Sequence, residues 1–169
     1  MQPSDRIKAV KESRAYKRNL PHIEEPGSTY FITFRTASEI KLSDEAKNIA
    51  FQSIKFHDGK QYQLHACVVM DTHVHIIIRP LKESDERYHS IAQILHSIKS
   101  YSAHQINKVL NTTGNIWLDE SYDRIIRDDE ECREKMNYVQ NNPVEAGIVQ
   151  KSENYRWIFL DNSGDRLSS

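Results

Sequence analysis

A chain of 169 residues is long enough for one domain with a single sizeable core. Its formal charge of −1, from 23 Lys and Arg against 24 Asp and Glu, carries no global basic signature, so a nucleic-acid partner would have to be held by local clusters of cations. Cys67 and Cys132 lack CxxC spacing and argue for reduced thiols over a disulfide framework; no apolar run of about 18 residues or apolar leader is visible, so the expectation is a cytoplasmic protein with no membrane partner.

Residues 1–20 hold Arg6, Lys8, Lys11, Arg14, Lys17 and Arg18 against Asp5 and Glu12, which predicts a basic N-terminal arm ahead of one domain over 21–160 and a short tail at 161–169. Pro26 and Gly27 mark a turn before the alternating stretch 28–36, the first core strand. Ser43 caps a helix running to Lys55, with Ala46, Ile49, Ala50 and Ile54 at helical spacing, and Asp58 and Gly59 end it. Residues 62–70 and 73–79, rich in β-branched and aromatic side chains, flank Asp71 and Thr72 and read as a β-hairpin. A charged loop over 82–87 leads to a long helix ending at Leu110, whose apolar stripe of Ile91, Ile94, Leu95, Ile98 and Ile106 takes in Tyr101 and places it in the core. Residues 116–127 read as extended, and a second helix begins near Asp128 to Glu131 and stops by Asn142, because Pro143 disfavours helical geometry in the residue before it. A last strand is expected within 155–160. This order predicts an α+β fold, a ferredoxin-like sandwich in which an antiparallel sheet has its helices packed on one face and carries histidines on the other.

The chemistry gathers on the hairpin. His73 and His75, two residues apart on a strand, point to one side while Val74, Ile76 and Ile78 point to the other, so a face backed by a core presents two imidazoles about 7 Å apart along the strand. Tilted together they can share one divalent ion. A tight turn pairs Val68 with His75 and sends His65 and Cys67 to the opposite face, which disfavours a closed four-ligand zinc site. On the last helix Cys132, Met136 and Val139 form the stripe that packs on the sheet, and Tyr138 lies about 240° round from Cys132 on a polar face with Glu134, Asn141 and Asn142. An aromatic placed there forgoes burial worth about 1.5–3 kcal/mol, so its hydroxyl is the useful part. Tyr122, in the extended segment, is left undecided. Two histidines and a free tyrosine fit attack of a phenol on a phosphodiester: a free phenol, with a pKa of about 10, is a weak nucleophile at neutral pH, and a divalent ion offsets that by polarising the phosphate. Histidines with an amide oxygen suit Mg²⁺ or Mn²⁺, and Asn142, one turn after Tyr138, is placed to supply that oxygen.

Five segments in this order, KRNLPHIEEPGSTYFITFRT at 17–36, VVMDTHVHIIIRP at 68–80, ILHSIKSYSAHQIN at 94–107, IWLDESYDRIIRDDEE at 116–131 and YVQNNPVEAGIV at 138–149, resemble the HUH single-strand transposases with one catalytic tyrosine, most closely their REP-associated branch. The chain has Thr72 where many relatives carry Asn. The resemblance implies a ferredoxin-like fold, histidine ligands at His73 and His75, Asn142 as a third ligand, and Tyr138 as the nucleophile of a 5′-phosphotyrosine intermediate that releases a 3′-OH. It also implies single-stranded or hairpin DNA as the partner, whereas the oligomeric state, monomer or homodimer, does not carry over from the family. Arg14, Lys17, Arg18, Arg35, Arg79, Lys99, Arg124 and Arg127 are the expected DNA-binding cations. Two rivals stand beside the nicking and rejoining enzyme: a catalytically silent hairpin-DNA binding protein on the same fold, and a module held by a structural metal.

Overall fold

The computed structural model describes residues 24–38 and 40–163. The expected arm at 1–20, with Arg14, Lys17 and Arg18, and residues 164–169 lie outside the described residues.

The elements follow in the order β1 (Thr29–Thr36), α1 (Asp44–Phe56), β2 (Tyr62–Val69), β3 (His73–Pro80), β4 (Lys82–Ser84), β5 (Arg87–Tyr88), α2 (Ile91–Leu110), β6 (Trp117–Ile126), α3 (Asp129–Glu145) and β7 (Ile158–Leu160). The charged segment expected as a loop folds back as the small β4–β5 hairpin, tied by an Arg87–Glu83 ion pair at 2.6 Å. The main sheet is antiparallel throughout, in the order β6-β1-β3-β2-β7. Strands β1, β2, β3 and β6 have the split β-α-β arrangement of a ferredoxin-like sandwich, with β7 added at the β2 edge.

Register decides which residues share a face. Tyr30, Ile32 and Phe34 of β1 stand opposite Ile78, Ile76 and Val74 of β3, and all six are buried. They form the floor on which α1 and α2 lie, with Ala46, Ala50 and Ile54 from α1 and Ile94 and Ile98 from α2 fully buried in the same core. Both helices begin as their sequences dictate: the Ser43 side chain accepts from Ala46 N–H, and Ser90 with Gln93 forms a capping box. On α2 the stripe centres on Ser102, whose hydroxyl donates to Ile98 O at 2.6 Å and accepts from Trp117 Nε1 at 2.9 Å. Because a fully satisfied serine holds the centre, Tyr101, about 100° round from it, falls at the margin and is 56 % exposed instead of buried.

The fold class is the one expected, and α1 and α2 keep to one face; α3 does not. Phe31, Ala66, Val68 and Ile77 belong to the histidine face and are buried, and α3 covers them, presenting Cys132, Val139 and Pro143. The first face is already filled by α1 and α2, so the apolar stripe of α3 packs on the second. Packing also carries α3 past the expected stop at Asn142. Pro143 sits in the last turn, where its missing N–H leaves one intrahelical bond unmade, and the helix closes with Ala146 N–H donating to Asn142 O before Gly147 at φ +72°.

Candidate active site

The hairpin turns at Asp71 and Thr72 as expected: Met70 N–H donates to His73 O at 2.8 Å, and Val68 stands opposite His75. The turn is latched from β1 and α1. Thr36 N–H donates to Thr72 O at 3.0 Å, Leu42 N–H donates to Asp71 O at 2.7 Å, and the buried Lys47 ammonium reaches Asp71 Oδ1 at 2.7 Å. The residue that begins β3, His73, is therefore fixed from two sides. Cys67 stands opposite Ile76 and so faces the α1–α2 core, whereas His65 is the extra residue of a bulge between Leu64 and Ala66. Among the described residues no group of three or more His, Cys, Asp or Glu side chains is placed to hold a metal ion.

The two imidazoles lie with ring centres 4.9 Å apart. His75 is 5 % exposed; its Nδ1 is 2.7 Å from Thr33 Oγ1 and its Nε2 is buried without a hydrogen-bond partner. With the proton on Nδ1, the ring donates to Thr33 and Nε2 keeps a lone pair aimed into the site. His73 places Nδ1 3.3 Å from Thr72 Oγ1 and Nε2 3.4 Å from Asn142 Oδ1. A proton on Nε2 makes the second contact a hydrogen bond; with the proton on Nδ1, the same two atoms become a pair of lone-pair donors facing one another. Burial lowers the pKa of both histidines, most for His75, which falls to about 3 with His73, Arg35 and Lys135 adding to the effect. Arg35 also lowers His73, while Asn142 and Asp71 oppose it. Two neutral imidazoles, one of them with an orphaned buried nitrogen, and an amide oxygen make a donor set that fits a divalent ion of the Mg²⁺ or Mn²⁺ type.

Tyr138 stands over this pair. Its ring centre is 5.2 Å from that of His75 and 5.9 Å from that of Phe31, and the side chain is 45 % exposed. Phe31 stacks on His75 at 5.5 Å, so one buried phenylalanine supports both imidazole and phenol. Asn142, one turn along α3, reaches His73. The four residues expected to act together, His73, His75, Tyr138 and Asn142, thus meet at one place. Phe31 and Thr33 complete the site. Neither has a local sequence signal, because each is brought in by the β1–β3 register alone.

Two other tyrosines are separated by the fold. Tyr101 is on α2, across the sheet from the histidines, whereas Tyr122 stands opposite Thr33 on the histidine face and is 40 % exposed. The expected DNA-binding cations are also dispersed. Arg35 stands opposite His73 at the site, and Arg124 stands opposite Phe31 but pairs with Glu131 at 2.6 Å. Arg79 is on the same face toward the far end of β3, donating to Gln63 Oε1 at 2.9 Å, and Arg127 pairs with Glu25 at 3.4 Å. Lys99 is not brought to the site. Its ammonium donates to Leu118 O at 2.9 Å and Asp119 O at 3.3 Å in a cleft of about 720 Å³ between α2 and residues 114–123, on the other side of the sheet.

No family model matches this chain, and no curated protein does. Among solved structures, it superposes on a REP-associated tyrosine transposase bound to a REP hairpin, with a TM-score of 0.67 and 20 % identity over 83 % of this chain and 81 % of that one. A candidate transposase from Deinococcus radiodurans R1 gives 0.47 and 15 % identity over 73 % and 96 % of the two chains. A bacterial tRNA(His) guanylyltransferase-like protein in complex with GTP gives 0.46 and 11 % over 85 % and 74 %. The last two superpositions are too loose to bear on function. The first is a likeness of architecture: this chain has the α+β fold of a REP-associated tyrosine transposase.

Proposed function

We propose that this chain is a single-stranded DNA endonuclease and transposase that nicks and rejoins DNA at hairpin sequences through a 5′-phosphotyrosine on Tyr138. The observation that carries the reading is the placement of a half-exposed phenol 5.2 Å from the imidazole of His75, whose buried Nε2 has no partner. His73, His75 and Asn142 are the residues that would hold Mg²⁺ or Mn²⁺. Such an ion, when bound, polarises a phosphate oxygen as a Lewis acid.

The chain's own side chains supply the rest. Tyr138 Oη attacks phosphorus, its bond to phosphorus forming as the P–O3′ bond breaks; the phenolic proton passes to water and the departing 3′ oxygen takes one up. The 5′-phosphotyrosine keeps the energy of the phosphodiester, so a 3′-OH can reverse the step and rejoin the strand. Phe31 holds the attacking ring and His75 in fixed relation, and the Thr33 hydroxyl holds the imidazole at Nδ1 while Nε2 stays without a protein partner. Arg35, exposed beside His73, is placed to take a backbone phosphate, and single-stranded or hairpin DNA is the partner this arrangement suits.

The test is cleavage of a labelled single-stranded hairpin oligonucleotide in Mn²⁺. An SDS-resistant protein–DNA adduct that disappears in EDTA and in His73→Ala and His75→Ala, with the fold retained, is the expected result. Cleavage undiminished by EDTA contradicts the metal-dependent reading, and tight hairpin binding without any adduct favours the silent binding protein.

A further inference from the structure

Lys135 precedes Tyr138 by three residues on α3 and shares its side of the helix. Its Nζ lies 4.9 Å from the centre of the Phe31 ring and 6.0 Å from that of Tyr138, so ammonium, phenol and the His75 imidazole all rest on Phe31. The helix offers Lys135 an obvious counter-ion in Glu131, one turn earlier and in the favourable order. That carboxylate is already engaged: Oε1 accepts from Arg124 Nε at 2.6 Å and Oε2 from Arg127 N–H at 2.9 Å. Among the described residues Lys135 makes no ion pair or hydrogen bond, and Arg35, the other cation beside the histidines, makes no ion pair. Among the described residues, two cations with no ion-pair partner thus bear on the same imidazole, His75, and disfavour each other there. An entering anion relieves that repulsion.

We propose that Lys135 is a catalytic residue of this site, its ammonium contacting a non-bridging oxygen of the phosphodiester that Tyr138 attacks; the inference rests on the phosphotyrosine reading above. As the Oη–P bond forms and the P–O3′ bond breaks, Lys135 stays protonated and neutralises charge on the phosphoryl oxygens. It neither gives nor takes a proton. The Phe31 ring holds the ammonium by a cation–π contact in a partly dehydrated position, where its field on the phosphate is strongest.

The experiment uses the full chain, a labelled single-stranded hairpin oligonucleotide and Mn²⁺. Single-turnover adduct formation at saturating DNA should fall about 100-fold in Lys135→Met, while DNA affinity weakens by less than about fivefold, and Lys135→Arg should return to within about tenfold of the parent. In a Tyr138→Phe background, Lys135→Met should lower the slope of log K against log salt by about 0.7, one phosphate contact on a single strand. Mn²⁺ binding to the DNA-free chain supplies a readout that a packing role would not move in this direction: removing a like charge beside the imidazoles should tighten it. Adduct formation by Lys135→Met within about threefold of the parent, with Tyr138→Phe inactive, overturns the assignment and leaves the phosphotyrosine reading intact. A parent chain that forms no adduct removes that reading and this one with it.

Discussion

Replacing Thr33 by Val tests the core of the site without touching a ligand or the nucleophile. The two side chains have nearly the same shape, so no cavity opens, and the change is confined to the hydroxyl 2.7 Å from His75 Nδ1. His75 is 5 % exposed, and water does not replace the lost partner, so the variant leaves a buried imidazole nitrogen unsatisfied at a cost of about 1–3 kcal/mol. The effect on metal binding has the same origin. Once Nδ1 has no hydroxyl partner, nothing from β1 holds the ring in the orientation that leaves Nε2 free to ligate. Loss of such an orienting partner lowers metal affinity by about 10–100-fold. Denaturant unfolding in EDTA measures the first quantity, Mn²⁺ titration of the DNA-free chain the second, and Thr33→Ser, which keeps the hydroxyl, should lie near the parent in both. Thr33→Val binding Mn²⁺ within about twofold of the parent would show that the imidazole is not oriented from β1.

Three further outcomes follow from the same geometry. Phe31→Leu should lower stability by up to about 1.5 kcal/mol in a denaturant titration and slow adduct formation without weakening hairpin binding, because the ring beneath both His75 and Tyr138 is lost. The metal-free chain should lose stability on acidification: the unfolded state binds a proton at His75 below pH 6.5 that the folded state refuses down to about 3, so the stability present above pH 6.5 drains away as pH falls through that window. The limiting slope is about 1.4 kcal/mol per pH unit for this one group, and unfolding curves of His75→Leu should lack that share of the slope. Lys99→Met should cost about 1–2 kcal/mol of stability, since its ammonium holds the carbonyls of Leu118 and Asp119, and should leave the salt dependence of hairpin binding unchanged.

What was legible in the sequence was set by short-range rules. Period-two alternation put His73 and His75 on one face, and the two-residue turn at Asp71 and Thr72 gave their register against β2. Helical periodicity alone separated Tyr138 from the buried stripe of α3. The misreadings came where tertiary packing outweighs local preference. Pro143 was expected to end α3, but one lost hydrogen bond in a last turn is outweighed by the apolar face that the helix covers. Three-residue spacing from Ile98 places Tyr101 on the stripe, but a serine with two hydrogen bonds takes its centre. Thr33, Phe31 and Lys135 carry no signal of their own, since their places depend on β1 pairing with β3 and on α3 crossing the histidine face.

The placement of Tyr138 over the histidines is tested most directly by mapping the adduct. Trapping the labelled hairpin oligonucleotide in Mn²⁺, digesting the SDS-resistant product and sequencing the modified peptide should find the nucleotide on Tyr138. Tyr138→Phe removes one oxygen from a side chain that is 45 % exposed, so it should fold and bind the hairpin as the parent does and yield no adduct. A phosphotyrosine on Tyr122, the other half-exposed tyrosine of the same face, would keep the reaction class and contradict the site described here.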